Sequence, residues 1–353
     1  MGYHSPGPHG TERYTGAPYC YPESQQGTKL DDSRLTIMNR RGILRALTAA
    51  FAGLNAASLT SMPVSAVSSL PVSQQGGSAT PFITGAGYVH ELIEANPATT
   101  RIVDVSPLRT YRDSHIPGAV HAFWEDTVDR EYPHFGAVVT QGENQQKRLE
   151  HVRSLGLEPE INVVAYDNQS GFRAARIVWY LRFLGFERVA MLDGGLRAWR
   201  EAGLPAQSGV ASVDEVSSTS VTPQDGFYVV TRQLLDRMES RSPLLVDTRT
   251  DEERMDDLDG AIPTGTIPGS VRFPWTLMVD AAKSRIQDLG QLKSALDQAG
   301  VEIDREIILF ARFGVDTALP WLVLKHLGYP SVVTYDRGWV EWASRPDLEY
   351  TPL

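Results

Sequence analysis

Short apolar runs recur through the last three quarters of the chain, and each is followed by a longer stretch with a helical period. INVVAYD (161–167) and EIILFAR (306–312) are continuous apolar runs of strand length, bounded by polar residues. Such runs predict strands buried on both faces. RAARIVWYLRFLG (173–185) and TALPWLVLKHLG (317–328) place apolar residues at helical spacing and stop at a glycine, a C-terminal signal. RVAMLDGG (188–195) and SVVTYDRG (331–338) predict further strands that end in Asp and Gly turns. Alternating strands and helices imply an α/β fold with a mostly parallel sheet covered by helices.

These elements occur twice. Asp104, Gly171, Gly185, Asp193 and Trp199 each have a partner of the same type 143 residues later: Asp247, Gly314, Gly328, Asp336 and Trp342. Ile116-Pro117-Gly118 pairs with Ile267-Pro268-Gly269 at the larger offset of 151. The second copy is therefore longer near DLDGAIPTG, as surface loops allow, and correspondingly shorter further on. The predicted organisation is a domain at 87–208, a linker at 209–226 and a second domain at 227–353. In parallel sheets ligands bind beyond the strand C-termini, so the loops at 167–173 and 311–316 are the candidate sites.

The first eighty-six residues do not follow this pattern. Residues 1–37 are rich in Gly, Pro, Ser, Tyr and Thr without period and are expected to be a disordered tail or an over-long start. Residues 38–66 begin with Met38, carry Arg40-Arg41 and Arg45 before a moderately apolar run, and end in Val64-Ser65-Ala66. No acidic residue falls between Ser33 and His90. This resembles a twin-arginine export signal with Met38 as initiator, so a periplasmic or otherwise exported protein is expected; an organellar transit peptide is the alternative. Thr48, Asn55, Ser58, Thr60 and Ser61 interrupt the apolar run, which argues against a membrane span. Residues 67–86 are expected to be a linker. The single cysteine, Cys20, would leave with the signal. A net charge of −10 argues against nucleic-acid or anionic-membrane surfaces, and no cofactor or metal motif appears.

IVDV and LLVD, SHIPGAVHAFW and GTIPGSVRFPW, MLDGGLRAW and TYDRGWVEWASRPDL together resemble the rhodanese superfamily in its tandem form, the thiosulfate and 3-mercaptopyruvate sulfurtransferases. The resemblance covers about residues 87–353 and implies two rhodanese-like domains. It also implies a second-domain loop that opens with cysteine, continues x-x-Gly-Val-Thr and leads into a helix. Backbone N–H groups there would cradle an anion and favour a thiolate, which takes sulfane sulfur as a persulfide. Here the loop is Ala311-Arg312-Phe313-Gly314-Val315-Asp316. Ala311 stands at the nucleophile position, and Asp316 replaces Thr. By the Gly171 match, Asn168 holds the equivalent position of the first domain, and neither side chain can carry a persulfide.

Arg312 is expected either to pair with an oxyanion or to be solvated. Asp316 is expected to act as a helix-first-turn acid or to compete with an incoming anion. Three functions fit this pattern. The first is a disarmed homologue that keeps a role in binding a small sulfur-containing anion or a protein partner. The second is a working sulfurtransferase that uses a partner-supplied or unrecognised thiol. The third, least in accord with the missing cysteine, is a rhodanese-like phosphatase.

Overall fold

The computed structural model describes residues 80–128, 143–212, 216, 219–241 and 243–353. The expected tail, the export segment, Cys20 and most of the first expected linker lie outside these residues. The end of that linker does not: Ile83–Thr84 forms strand β1 and pairs with the first domain's sheet. Two residues at a sheet edge are too few to show a period, so the sequence did not reveal this strand.

The first domain contains β1, β2 (Thr100–Asp104), β3 (Val120–His121), β4 (Asn162–Tyr166) and β5 (Val189–Leu192), in the all-parallel order β1-β5-β4-β2-β3. The second contains β6 (Tyr228–Val229), β7 (Leu244–Asp247), β9 (Val271–Arg272), β12 (Ile307–Phe310) and β13 (Val332–Tyr335), ordered β6-β13-β12-β7-β9 and again parallel. The repeat seen in the sequence is thus one topology built twice. Two antiparallel pairs complete the second domain. They are β10 (Val279–Asp280) with β11 (Arg285–Ile286), and β8 (Gly265–Thr266) with β14 (Thr351–Pro352).

The central strands are apolar throughout because each face meets a different core. Along β4, Val163 and Ala165 join one cluster while Val164 and Tyr166 join another. Along β12, Ile307 and Leu309 join the first of these clusters, and Ile308 and Phe310 join a third. The shared cluster therefore runs between the two sheets. It is filled by helix Phe172–Phe183 from the first domain and helix Ala318–His326 from the second. Aromatic rings tie this interior together. Phe227 lies 5.9 Å from Trp179 and 5.3 Å from Trp321, and Trp321 is 5.8 Å from Phe82. Burying side chains of this size stabilises by roughly 2–3 kcal/mol each before packing terms. The end of the predicted linker is held on the first domain, where Thr222 and Gln224 donate N–H bonds to the carbonyls of Leu184 and Phe183 at 3.1 and 2.7 Å.

Candidate functional site

In the second domain β12 ends at Phe310, and the loop passes through a short 3-10 turn at Gly314–Thr317 into helix Ala318–His326. The opening carbonyls of the loop sit on the N-terminus of helix Gly338–Ser344. Trp339 N–H donates to Ala311 at 2.9 Å, and Val340 N–H donates to Arg312 at 3.2 Å. So close a crossing requires glycine on both sides. A Cβ on Gly338, which has φ +62°, would lie 2.5 Å from the Arg312 oxygen, and one on Gly314 would lie 1.9 Å from the Asp336 oxygen. The first glycine needs the left-handed conformation and the second needs the space. Ala311 is held here with 2% of its surface exposed.

The other loop residues face inward as well. The sequence left Arg312 either solvated or paired with an oxyanion; in the structure its guanidinium is paired with the carboxylate of Asp256. A backbone N–H from Leu258 and this arginine hold the Asp256 carboxyl below its ordinary range. Asp316 is 5% exposed and accepts the Phe313 N–H at 3.4 Å. Burial, with the charge of Glu253 adding to it, pushes its pKa up to about 7 against the opposing Phe313 N–H, Arg312 and Arg176. Burial likewise raises Asp336 to about 7 against Arg176 and Arg337, and its Oδ2 has no hydrogen-bond partner. Arg176 reaches this cluster from the first domain. It is buried, donates to Thr127 Oγ1 at 2.9 Å and to the Thr127 carbonyl at 2.8 Å, and lies 4.6 Å from the Trp179 ring centre. Burial lowers its pKa to about 10.

The sheet register corrects the expected equivalence in the first domain. Tyr166 lies opposite Asp104 as Phe310 lies opposite Asp247, so the residue matching Ala311 is Asp167, not Asn168. The first loop has one more residue between strand and glycine, and the glycine match hides that insertion. Asp167 fills its own cradle. Its Oδ1 accepts the N–H groups of Gln169 and Gly171 at 2.7 and 2.9 Å, and its Oδ2 accepts those of Arg173 and Ala174 at 2.8 and 2.9 Å. A backbone arrangement able to bind an anion is thus satisfied by a carboxylate of the chain itself. Asn168 instead braces the loop, donating to Ser106 Oγ at 3.1 Å and accepting the Leu196 N–H at 3.2 Å.

The two strand-ending aspartates differ between the copies. Asp247 is gripped by buried Arg249 through bonds of 2.9 and 2.7 Å and also accepts the Thr266 hydroxyl at 2.8 Å. Asp104 accepts the Ser106 N–H at 2.8 Å, and burial raises its pKa against the opposing Tyr166 and Ser106 hydrogen bonds. His115 and His121 brace the chain around their turn, each approaching a carbonyl oxygen, Tyr111 and Ser106 respectively, at 2.8 Å. Among the described residues no group of three or more His, Cys, Asp or Glu side chains is placed to hold a metal ion. An open cleft of about 510 Å³ borders the first-domain loop and is lined by Asn168, Leu196, Arg197 and Arg200 among others. A second, of about 530 Å³, lies between β1 and the segment after β11. Neither reaches residues 311–316.

A rhodanese-like domain matches residues 85–202 and again 230–345. The chain is 30% identical over 266 residues to the 3-mercaptopyruvate sulfurtransferase of Escherichia coli O157:H7, covering 74% of this chain and 92% of that protein. It is also 30% identical over 257 residues to the thiosulfate sulfurtransferase of Azotobacter vinelandii, covering 70% and 89%. The crystal structure of SseA, a 3-mercaptopyruvate sulfotransferase from Escherichia coli, superposes with a TM-score of 0.63 at 26% identity, over 74% of this chain and 99% of that one.

Proposed function

The chain belongs to the rhodanese-like family, and from that membership we propose that it is a sulfurtransferase homologue whose two loops no longer carry sulfur and whose second loop keeps a binding role. The observation that carries this reading is Ala311, the first residue after β12. Sulfur transfer in this family needs a nucleophile that attacks the sulfane sulfur of a donor anion, holds it as a persulfide and yields it to an acceptor. A methyl group offers no lone pair for that step. In the first domain the corresponding carboxylate, Asp167, already accepts four backbone N–H bonds. What remains is a loop with the length, glycine and following helix of a sulfur-transfer site. Its proposed ligand is a small sulfur-containing anion or a protein partner, met after export by the twin-arginine-like segment.

Delivery of a thiol by a partner is the weaker reading, because Ala311 is almost wholly covered. The test is transfer of sulfur from thiosulfate or 3-mercaptopyruvate to cyanide, run on the full chain beside Ala311→Cys. Turnover is expected only from the variant. Turnover by the unaltered chain at a comparable rate would refute the inactive reading. A variant that neither turns over nor binds thiosulfate would remove the binding role.

A further inference from the structure

The extra length of the second copy, which the repeat places between Asp247 and Ile267, meets the second-domain loop at Arg312 and Phe313. It starts from a firm anchor. The Thr250 hydroxyl accepts the Glu253 N–H at 3.2 Å, and the Glu253 carboxylate accepts the Thr250 N–H at 2.7 Å, opening a short helix that ends at Met255. It also ends on one, since Ile262 is buried and Pro263 accepts the Trp339 indole N–H at 3.3 Å. Between these anchors the chain touches the loop. Asp256 takes the Arg312 guanidinium, and Leu258 packs on the same apolar cluster as Phe313. The turn that follows is strained, because Leu258, Asp259 and Gly260 have φ of 52°, 58° and 81° in succession.

We propose that residues 256–260 are a strap closed over the second-domain loop and latched by the Asp256–Arg312 pair, so that opening of this pair admits a ligand to the Ala311 end of the loop. The two copies form an internal comparison. The first has no such insertion, and its loop borders an open cleft through Asn168. Ala311 and its counterpart Asp167 are equally buried, and the copies differ at the next position: the place of Asn168 is taken in the second by Arg312, the only cation in its six-residue loop, which is neutralised from within the chain by Asp256. An incoming anion and Asp256 would compete for one guanidinium, so binding and strap opening are coupled. The strap rests on the preceding reading only in taking this loop as the site; it does not require the loop to be silent.

The test uses the full chain carrying Cys20→Ser and Ala311→Cys, with neutral iodoacetamide as the probe of access. The introduced thiol is expected to react at least about 100-fold more slowly than in the urea-unfolded chain, because it must wait for local opening. Adding either Asp256→Ala or Arg312→Ala should raise the rate about tenfold. Asp257→Asn removes the same charge from the same segment and should leave the rate within about twofold. About 1 M salt should speed the reaction of the latched protein and not that of Asp256→Ala. The strap is overturned if either pair variant stays within about twofold of its parent, or if Asp257→Asn accelerates labelling equally. Labelling needs no sulfur transfer, so this result and the turnover assay stand or fall separately.

Discussion

Asp316 shows how one substitution alters both chemistry and stability. The sequence leaves Asp316 as a first-turn acid or as a competitor of an incoming anion; the structure places it in the first turn of the 3-10 segment before the helix and buries it there. Its pKa rises from 3.8 to about 7, so the folded chain holds a proton that the unfolded chain releases from about pH 4 upward. Stability from this group is fully present below pH 4 and is lost as pH rises through 7. Asp316→Asn keeps an acceptor for the Phe313 N–H and removes the titration. It should raise the thermal midpoint at pH 8 and flatten the fall in stability between pH 4 and 7. The gain should be on the order of a few kcal/mol. Thermal unfolding across that range decides it, and an unchanged profile would show that the charge is not confined. The identity of Asp316 was legible in the sequence. Its burial was not, because Arg176 and the Asp336 turn approach it from distant parts of the chain.

At the scale of elements, the strand–loop–helix unit was legible twice, and the fine register inside it was not. The glycine pair Gly171 and Gly314 pointed to Asn168, and only pairing across the sheet identified Asp167. That correction yields a prediction. Asp167→Ala leaves four N–H groups of the loop and the helix start without their acceptor, and should cost roughly 3 kcal/mol or more. Asp167→Asn keeps one carbonyl oxygen and should cost less. Urea unfolding of the two variants tests the order, and equal losses would mean that the cradle contributes little. The buried Arg249–Asp247 pair belongs to this scale as well. Removing one partner strands a buried charge, whereas the first copy has Ser106 at the corresponding place.

For the whole molecule, the interior shared by the two sheets matters more than the tandem arrangement itself. Each sheet contributes alternate residues to it, so neither domain can be removed without uncovering the other. The described chain should therefore unfold in one transition, and Trp321→Ala should destabilise both domains together. Trp321 is 2% exposed and touches Phe82 and Phe227, so the loss should be about 3–5 kcal/mol. Denaturation followed separately by probes in each sheet checks this, and two resolved transitions would contradict a shared core.

The α/β class, the duplication, the strand-to-helix loops and the alanine that opens the second loop are all legible along the chain. These are local properties: period, turn residues, and the type of atom at one position. Folding in three dimensions sets which strand face meets which core, makes Asp167 fill its own cradle, and matches Arg312 to a carboxylate in the second copy's extra segment. Buried parallel strands are apolar on both faces, so their pattern does not say which side is shared. Partners brought together by folding leave no spacing along the chain to read.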